Sequence, residues 1–309
     1  MRRENRGLVV NLRVVAGQEP GSSPPLNRRK SSENRLSCGM ERCQSENTMK
    51  IDLNGQVALV TGAARGIGQA IADVLAQNGA QVVYVDIDFE TAKISAARSQ
   101  ACTALEMDVS NEGQVENGVA QALKQHGRLD ILVNNAGINT MKHRVNIDKF
   151  PLDEWERILK VDLTGSFLVS RACSRAMIEK KAGRIINISS VFGVVPARLQ
   201  CAFTAAKAGV VQLTRTMAIE LAPSGILVNC VAPGSTLTDG TKSLFYSDDA
   251  LMKERAQRML SHVPLGRPGT PAEIAHAVLF FAAPESSYVT GQILCVDGGW
   301  TAGGFLRDF

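Results

Sequence analysis

From Met49 onward, short apolar runs alternate with stretches in which apolar residues recur at helical spacing. The runs predict strands at Val57–Thr61, Gln81–Asp86, Ala104–Met107, Asp130–Val133, Arg184–Ser189, Leu227–Val231 and Gln292–Val296. The intervening stretches predict helices at about Gly66–Asn78, Phe89–Arg98, Glu112–Gln125, Leu152–Glu179, Ala202–Leu221 and Pro271–Ala282, several of them closed by a glycine (Gly79, Gly127, Gly183). Strict alternation of strand and helix predicts an α/β fold: one doubly wound parallel sheet of about seven strands with helices on both faces. Segment 235–268 departs from the alternation; it is polar and mixed, with a helical piece near Asp249–His262.

The chain has 309 residues, enough for one α/β domain of about 250 residues and an extension. Its excess of four basic residues lies within residues 1–48, which hold nine Arg/Lys against five Asp/Glu. The remainder is neutral, which argues against nucleic acid as a partner. Residues 1–48, rich in Ser, Asn, Arg and Pro and without period, read as a disordered basic extension, and residues 49–309 as the folded domain. Arg13 interrupts the only apolar stretch of the extension, Leu8–Ala16, so it makes a poor signal peptide. Glu4, Glu19 and Glu33 count against a transit peptide. With Met49 directly before the domain, the extension reads as an upstream segment without structural role, a regulatory tail being the alternative. No apolar run reaches the roughly 18 residues of a membrane span. The cysteines (38, 43, 102, 173, 201, 230, 295) show neither metal nor disulfide spacing, which favours free thiols and a reducing, cytoplasmic compartment.

Chemistry enters at Val57–Gly68, VALVTGAARGIG. A buried strand runs into Gly62, Gly66 and Gly68 at the spacing G-x-x-x-G-x-G, and a helix begins. Such a turn brings bare backbone and a helix N-terminus against a diphosphate, although a glycine-rich strand-to-helix turn alone is weak. Asp86, closing the second strand, stands where a βαβ nucleotide unit meets the adenosine ribose. A carboxylate there accepts the ribose hydroxyls and repels a 2′-phosphate, favouring NAD over NADP. Arg65 points the other way, as a partner for that phosphate.

In order along the chain, TGAARGIG (61–68), Asp108-Val109, NNAG (134–137), NISS (187–190), the helix carrying Lys207 and Pro233-Gly234 together resemble the short-chain dehydrogenase/reductase family over residues 50–300. The resemblance is strongest to the 3-oxoacyl-carrier-protein reductase and sugar- or polyol-dehydrogenase branch. It implies a Rossmann-type domain and interconversion of a secondary alcohol and a ketone. It implies coenzyme contacts at Gly62, Arg65, Gly66, Ile67, Gly68, Asp86, Asp108, Val109, Asn135, Ala136, Gly137, Lys207, Pro233 and Gly234. Ser190 and Lys207 stand at positions of the family's catalytic set, whose other members are a tyrosine four residues before the lysine and an asparagine on the preceding long helix.

Both of those other positions are altered: the tyrosine position holds Phe203 and the asparagine position Asp162. Phe203 has no proton to exchange, and losing a positioned general acid costs about 10²–10⁴ in rate. Three readings of Phe203 stand: a weakly active enzyme in which water, Tyr246 or His143 takes over; a dinucleotide-binding or scaffold protein without chemistry; and a tyrosine replaced deliberately. The retained Ser190, Lys207 and coenzyme set favour the enzyme.

Segment 235–268 lies where the family places its substrate lid. Thr236, Thr238, Lys242, Phe245 and Tyr246 make it amphipathic, with Gly240 and Gly266 as hinges. It fits a small polar carbonyl or alcohol without excluding a long acyl group. The two long helices carry Phe167, Leu168, Val211, Leu213 and Met217 beyond what one sheet face uses; with the resemblance, this predicts a homo-oligomer, in related proteins usually a tetramer.

Overall fold

The computed structural model describes residues 51–99, 101–140, 142–238, 241 and 250–303. The basic extension, Gly240, Lys242, Phe245 and Tyr246 lie outside the described residues. Seven parallel strands form one sheet in the order β3-β2-β1-β4-β5-β6-β7. They are β1 (Val57–Thr61), β2 (Gln81–Asp86), β3 (Thr103–Glu106), β4 (Ile131–Asn134), β5 (Gly183–Ile188), β6 (Ile226–Pro233) and β7 (Ile293–Val296). The helices are α1 (Gly66–Gln77), α2 (Phe89–Ala96), α3 (Glu112–His126), α4 (Leu152–Leu159), α5 (Ser166–Lys180), α6 (Cys201–Leu221), α7 (Ala250–Leu260) and α8 (Pro271–Ala282).

The central strands are apolar without alternation because both faces are covered. Ala58 and Val60 of β1 pack with Ile71 and Leu75 of α1 and with Ile274, Val278 and Leu279 of α8. Val57 and Leu59, one residue out of phase, pack on the opposite face with Val115 and Val119 of α3 and Val169 and Cys173 of α5. That face also takes Leu168 and Met217, with Leu213 packed partly against them. Three of the five apolar residues read as a subunit contact are therefore used on the chain's own sheet, and Val211 is buried as well. Phe167 alone among them is exposed, at 43%, with the Arg171 guanidinium 5.5 Å from its ring centre.

The long helix expected at Leu152–Glu179 is one continuous run, but its hydrogen bonding loosens to a π turn over Lys160–Gly165 before α5 resumes. Such a turn adds a residue to the helical period and re-aims the side chains beside it; Asp162 lies within it.

Strand order reverses between β1 and β4, so the connections leaving their carboxyl ends part in opposite directions and open a crevice. Asn135 binds the two lips together: its amide nitrogen donates to the carbonyls of Thr61 at 2.9 Å and Gly62 at 3.0 Å. The Thr61 hydroxyl accepts from the backbone N–H groups of Asn135 and Ala136, each at 3.0 Å.

Candidate active site

The crevice continues as a cleft of about 910 Å³ along the carboxyl edge of the sheet. The structure brings nearly every residue singled out by sequence to its wall: Gly62, Arg65, Gly66, Ile67, Gly68, Asp86, Asp108, Val109, Asn135, Ala136, Gly137, Ser190, Phe203, Lys207, Pro233 and Gly234. Asp162 is not on the wall; it lies directly behind it, fully buried.

At the glycine turn, a Cβ on Gly68 would fall 2.0 Å from the Gly62 carbonyl oxygen and 2.3 Å from Asn135 Nδ2. Only glycine lets α1 start so close to β1. A Cβ on Gly66 would meet nothing nearer than Thr238 Cγ2, 3.7 Å away, so the space above this backbone is open. The N-terminus of α1 has no side-chain cap and no acidic residue in its first turn. Its free N–H groups and positive dipole end fit a diphosphate.

At the β2 end of the cleft, each Asp86 oxygen accepts one backbone N–H and keeps a further lone pair. Oδ2 accepts from the Ala64 N–H and Oδ1 from the Asp88 N–H, each at 3.0 Å. Arg65 is paired with Asp88. Asp88 also caps α2 through the Thr91 N–H at 3.3 Å. Asp108 turns its loop by accepting from the Ser110 N–H at 2.8 Å.

At the other end lie Ser190, Phe203 and Lys207. Ser190 Oγ accepts from the Phe192 N–H at 3.2 Å, which leaves its O–H as a donor toward the cleft. Lys207 is anchored along its length. Its carbonyl accepts from Ser189 Oγ at 2.8 Å, and its Nζ donates to the Ile188 carbonyl at 3.3 Å. Nζ also lies 3.2 Å from Asp162 Oδ2 and 5.7 Å from the Phe203 ring centre. Asp162 Oδ1 accepts from the Ile138 N–H at 2.8 Å. Gly137 leaves room for this pair: a Cβ there would meet Lys207 Nζ at 3.0 Å and Asp162 Oδ2 at 3.2 Å.

Several wall residues escaped the sequence reading: Asn139, Arg157, Phe192, Thr241, Met259 and Trp300. Trp300 meets Phe192 edge-on at 5.3 Å and stacks on His262 at 6.5 Å. The one available signal was its place after the Asp297-Gly298-Gly299 turn, where Asp297 accepts from the Gly299 and Thr301 N–H groups at 2.9 and 2.8 Å. Of the segment expected to form a lid, Thr236 and Thr238 reach the cleft, and Thr236 makes a parallel bridge to Gly269. His143 does not line the cleft. It lies in an adjoining cavity of about 310 Å³ with Asn139, Lys142, Glu154 and Arg157, its Nδ1 3.9 Å from Glu154. The loop after Thr140 and the start of α4 carry it to the side, so it is no substitute proton donor in this arrangement. Among the described residues no cluster of His, Cys, Asp and Glu could hold a metal ion, and no helix is long and apolar enough to cross a membrane.

A family model described as enoyl-(acyl carrier protein) reductase matches residues 62–301. The 3-oxoacyl-(acyl-carrier-protein) reductase FabG of Vibrio harveyi is 43% identical over 250 residues, covering 81% of this chain and 98% of that protein. The chain belongs to the short-chain dehydrogenase/reductase family. Trans-4-hydroxycyclohexanecarboxylate dehydrogenase of Sinomonas cyclohexanicum, 40% identical over 263 residues, covers 82% of this chain and 95% of its own. Among solved structures, levodione reductase superposes with a TM-score of 0.75 at 32% identity, over 81% of this chain and 98% of that one. A fold and site of this family carry oxidoreduction with a nicotinamide dinucleotide, and the cleft fits one: open backbone at Gly66, an uncapped α1, and carboxylates at the β2 end.

Proposed function

We propose that the protein interconverts a secondary alcohol and a ketone with NAD as its coenzyme, at a rate reduced by Phe203. The single observation that carries this reading is the convergence of the glycine turn, Asp86, Ser190 and Lys207 on one cleft. Gly62, Gly66, Ile67 and Gly68 would hold the diphosphate, Asp108 and Val109 the adenine, Asp86 the adenosine ribose, and Pro233-Gly234 the nicotinamide, with Asn135, Ala136 and Gly137 along its path. Asn135 contributes there by backbone, its amide being used in bracing the turn. Bound nicotinamide supplies or accepts the hydride. The Ser190 O–H polarises the substrate oxygen, and Lys207 holds the nicotinamide ribose; these terms survive without a tyrosine.

NAD rather than NADP is supported by charge. The β2 end carries two carboxylates, Asp86 on the cleft wall and Asp88 two residues on, against Arg65, and Asp88 already engages that cation. The cleft end formed by Phe192, Met259, Trp300 and Phe203 favours a substrate with an apolar body and one polar carbon. The two relatives named above act, by name, on a 3-oxoacyl chain and a hydroxycyclohexane ring, each with an apolar portion beside the reacting carbon. A homotetramer and a cytoplasmic setting belong to the same proposal; light scattering tests the first.

The second reading is a dinucleotide-binding protein without turnover, favoured by Phe203 and Asp162 together. Fluorescence titration with NADH and NADPH, followed by a panel of ketones and alcohols, separates the two. NADH binding with measurable hydride transfer supports the enzyme; tight NADH binding and no transfer across the panel supports the binder. No binding of either coenzyme removes both.

A further inference from the structure

The Lys207–Asp162 pair is nearly sealed from water, the side chains being 6% and 0% exposed. The other contacts of the Lys207 ammonium are the Ile188 carbonyl and the face of the Phe203 ring, and neither carries a formal charge. An ammonium at this depth is costly unless a negative group compensates it. Asp162 is that group. It is oriented for the task by the Ile138 N–H on Oδ1, which leaves Oδ2 without a hydrogen bond and facing Nζ.

The chain departs from its family's pattern at two places, and the departures are electrostatically opposite. Against the pattern that the chain resembles, residue 203 lacks the hydroxyl that could ionise beside Lys207, and residue 162 holds a carboxylate in place of an amide. We propose that the two changes are a single compensated exchange. Asp162 is the counter-ion that Lys207 requires when residue 203 has no hydroxyl, a positioning residue for Lys207 and not a member of the proton path. Retention of Lys207 then follows from charge balance and from holding the coenzyme, whether or not protons are transferred. It also follows that Asp162 works against any tyrosine placed at 203. With its charge already met, Lys207 no longer favours phenolate.

The other charged groups around the pair do not offset this. Arg157 of α4 lies within electrostatic range of Asp162, but its fork is committed to Glu154 at 2.7 and 3.0 Å. Burial pushes the Cys230 thiol of β6, near Lys207, up to about 12, so it is neutral at working pH.

The test needs neither coenzyme nor substrate, so it stands or falls apart from the proposed function. Phe203→Tyr adds one tyrosine, whose ionisation is read as the difference in phenolate absorbance from the parent. Repeating the measurement for Asp162→Asn with and without Phe203→Tyr gives the same tyrosine beside a neutral amide. The expected result is a midpoint lower by about one pH unit or more with asparagine at 162; equal midpoints overturn the proposal. A thermal cycle of Asp162→Asn, Lys207→Met and both together provides the second reading. Asp162→Asn alone should melt roughly 5 °C or more below the parent, and the double variant, which removes both charges, should recover part of that loss. Additive losses overturn the proposal even if the tyrosine variants do not fold.

Discussion

Arg65, in the glycine turn, is ion-paired with Asp88, the N-cap of α2. The cation that the sequence offers as a partner for a 2′-phosphate is thus already matched by a carboxylate from the next loop. The pair is solvent-exposed and adds little stability of its own; its consequence is local charge. Asp88→Ser keeps a capping oxygen for Thr91 while releasing Arg65. NADPH affinity is expected to rise tenfold or more with NADH affinity nearly constant, read by coenzyme fluorescence. An unchanged NADPH affinity would remove Asp88 from coenzyme choice.

Asp86 carries a second burden, because its carboxylate also ties the Ala64 and Asp88 backbone in place. Asp86→Ala should relax discrimination against NADP and also weaken both coenzymes, since the turn loses two hydrogen bonds of about 1 kcal/mol each. Asp86→Asn keeps one acceptor and should weaken NADH less. If the parent binds NAD and NADP equally, the argument for Asp86 has no basis.

Restoring the hydroxyl by Phe203→Tyr should raise turnover at least tenfold, because a positioned general acid contributes about 10²–10⁴. Adding Asp162→Asn should raise it further. The measurement is single-turnover hydride transfer with a ketone that the parent already binds. No gain from either variant would argue against this cleft as the site of chemistry.

Gly68→Ala places a methyl 2.0 Å from the Gly62 carbonyl oxygen, a backbone atom that cannot swing aside. We expect a loss of about 1–3 kcal/mol or more in stability and at least tenfold weaker binding of NADH. Gly127→Ala is a useful control, because its Cβ would meet nothing within 4 Å although φ is +71°. It should cost stability without touching coenzyme affinity.

The start of α8 is fastened by charge. Thr270 and Glu273 form a reciprocal cap at the start of α8, and Arg267 grips the Glu273 carboxylate at 2.7 and 3.0 Å. Arg267 first, then the Thr270 N–H, hold the Glu273 carboxyl down to about 2, against an ordinary 4.5. A depressed acid stabilises the fold above its unfolded value and loses that contribution as pH falls toward its folded one. Glu273 should therefore support stability fully above about pH 4.5 and progressively less down to about pH 2. Because Glu273 is 40% exposed, screening keeps the effect small, so Glu273→Gln should cost about 1 kcal/mol at neutral pH. Melting curves across that window check the sign: the parent and Glu273→Gln should converge as pH falls.

Sequence alone determined what rests on short-range spacing. The period of apolar residues set seven strands and the helices between them, with ends misplaced by only a residue or two at most positions. The bare turn 62–68 and the one-face placement of Phe203 and Lys207 follow from glycine sterics and a helix that repeats every four residues or so. Tertiary structure decided everything that pairs across the chain. Asp162 meets Lys207 because the π-turn segment that carries it packs beside α6. Asp88 meets Arg65 because the loops after β1 and β2 leave neighbouring strands at the same edge of the sheet. Trp300 walls the cleft, and His143 misses it, through the paths of connections that carry no period. Leu168 and Met217 face inward because the second face of the sheet claims them first. Through-space contacts between residues far apart in sequence leave no local pattern, so charge balance at this site became visible only once the chain was folded.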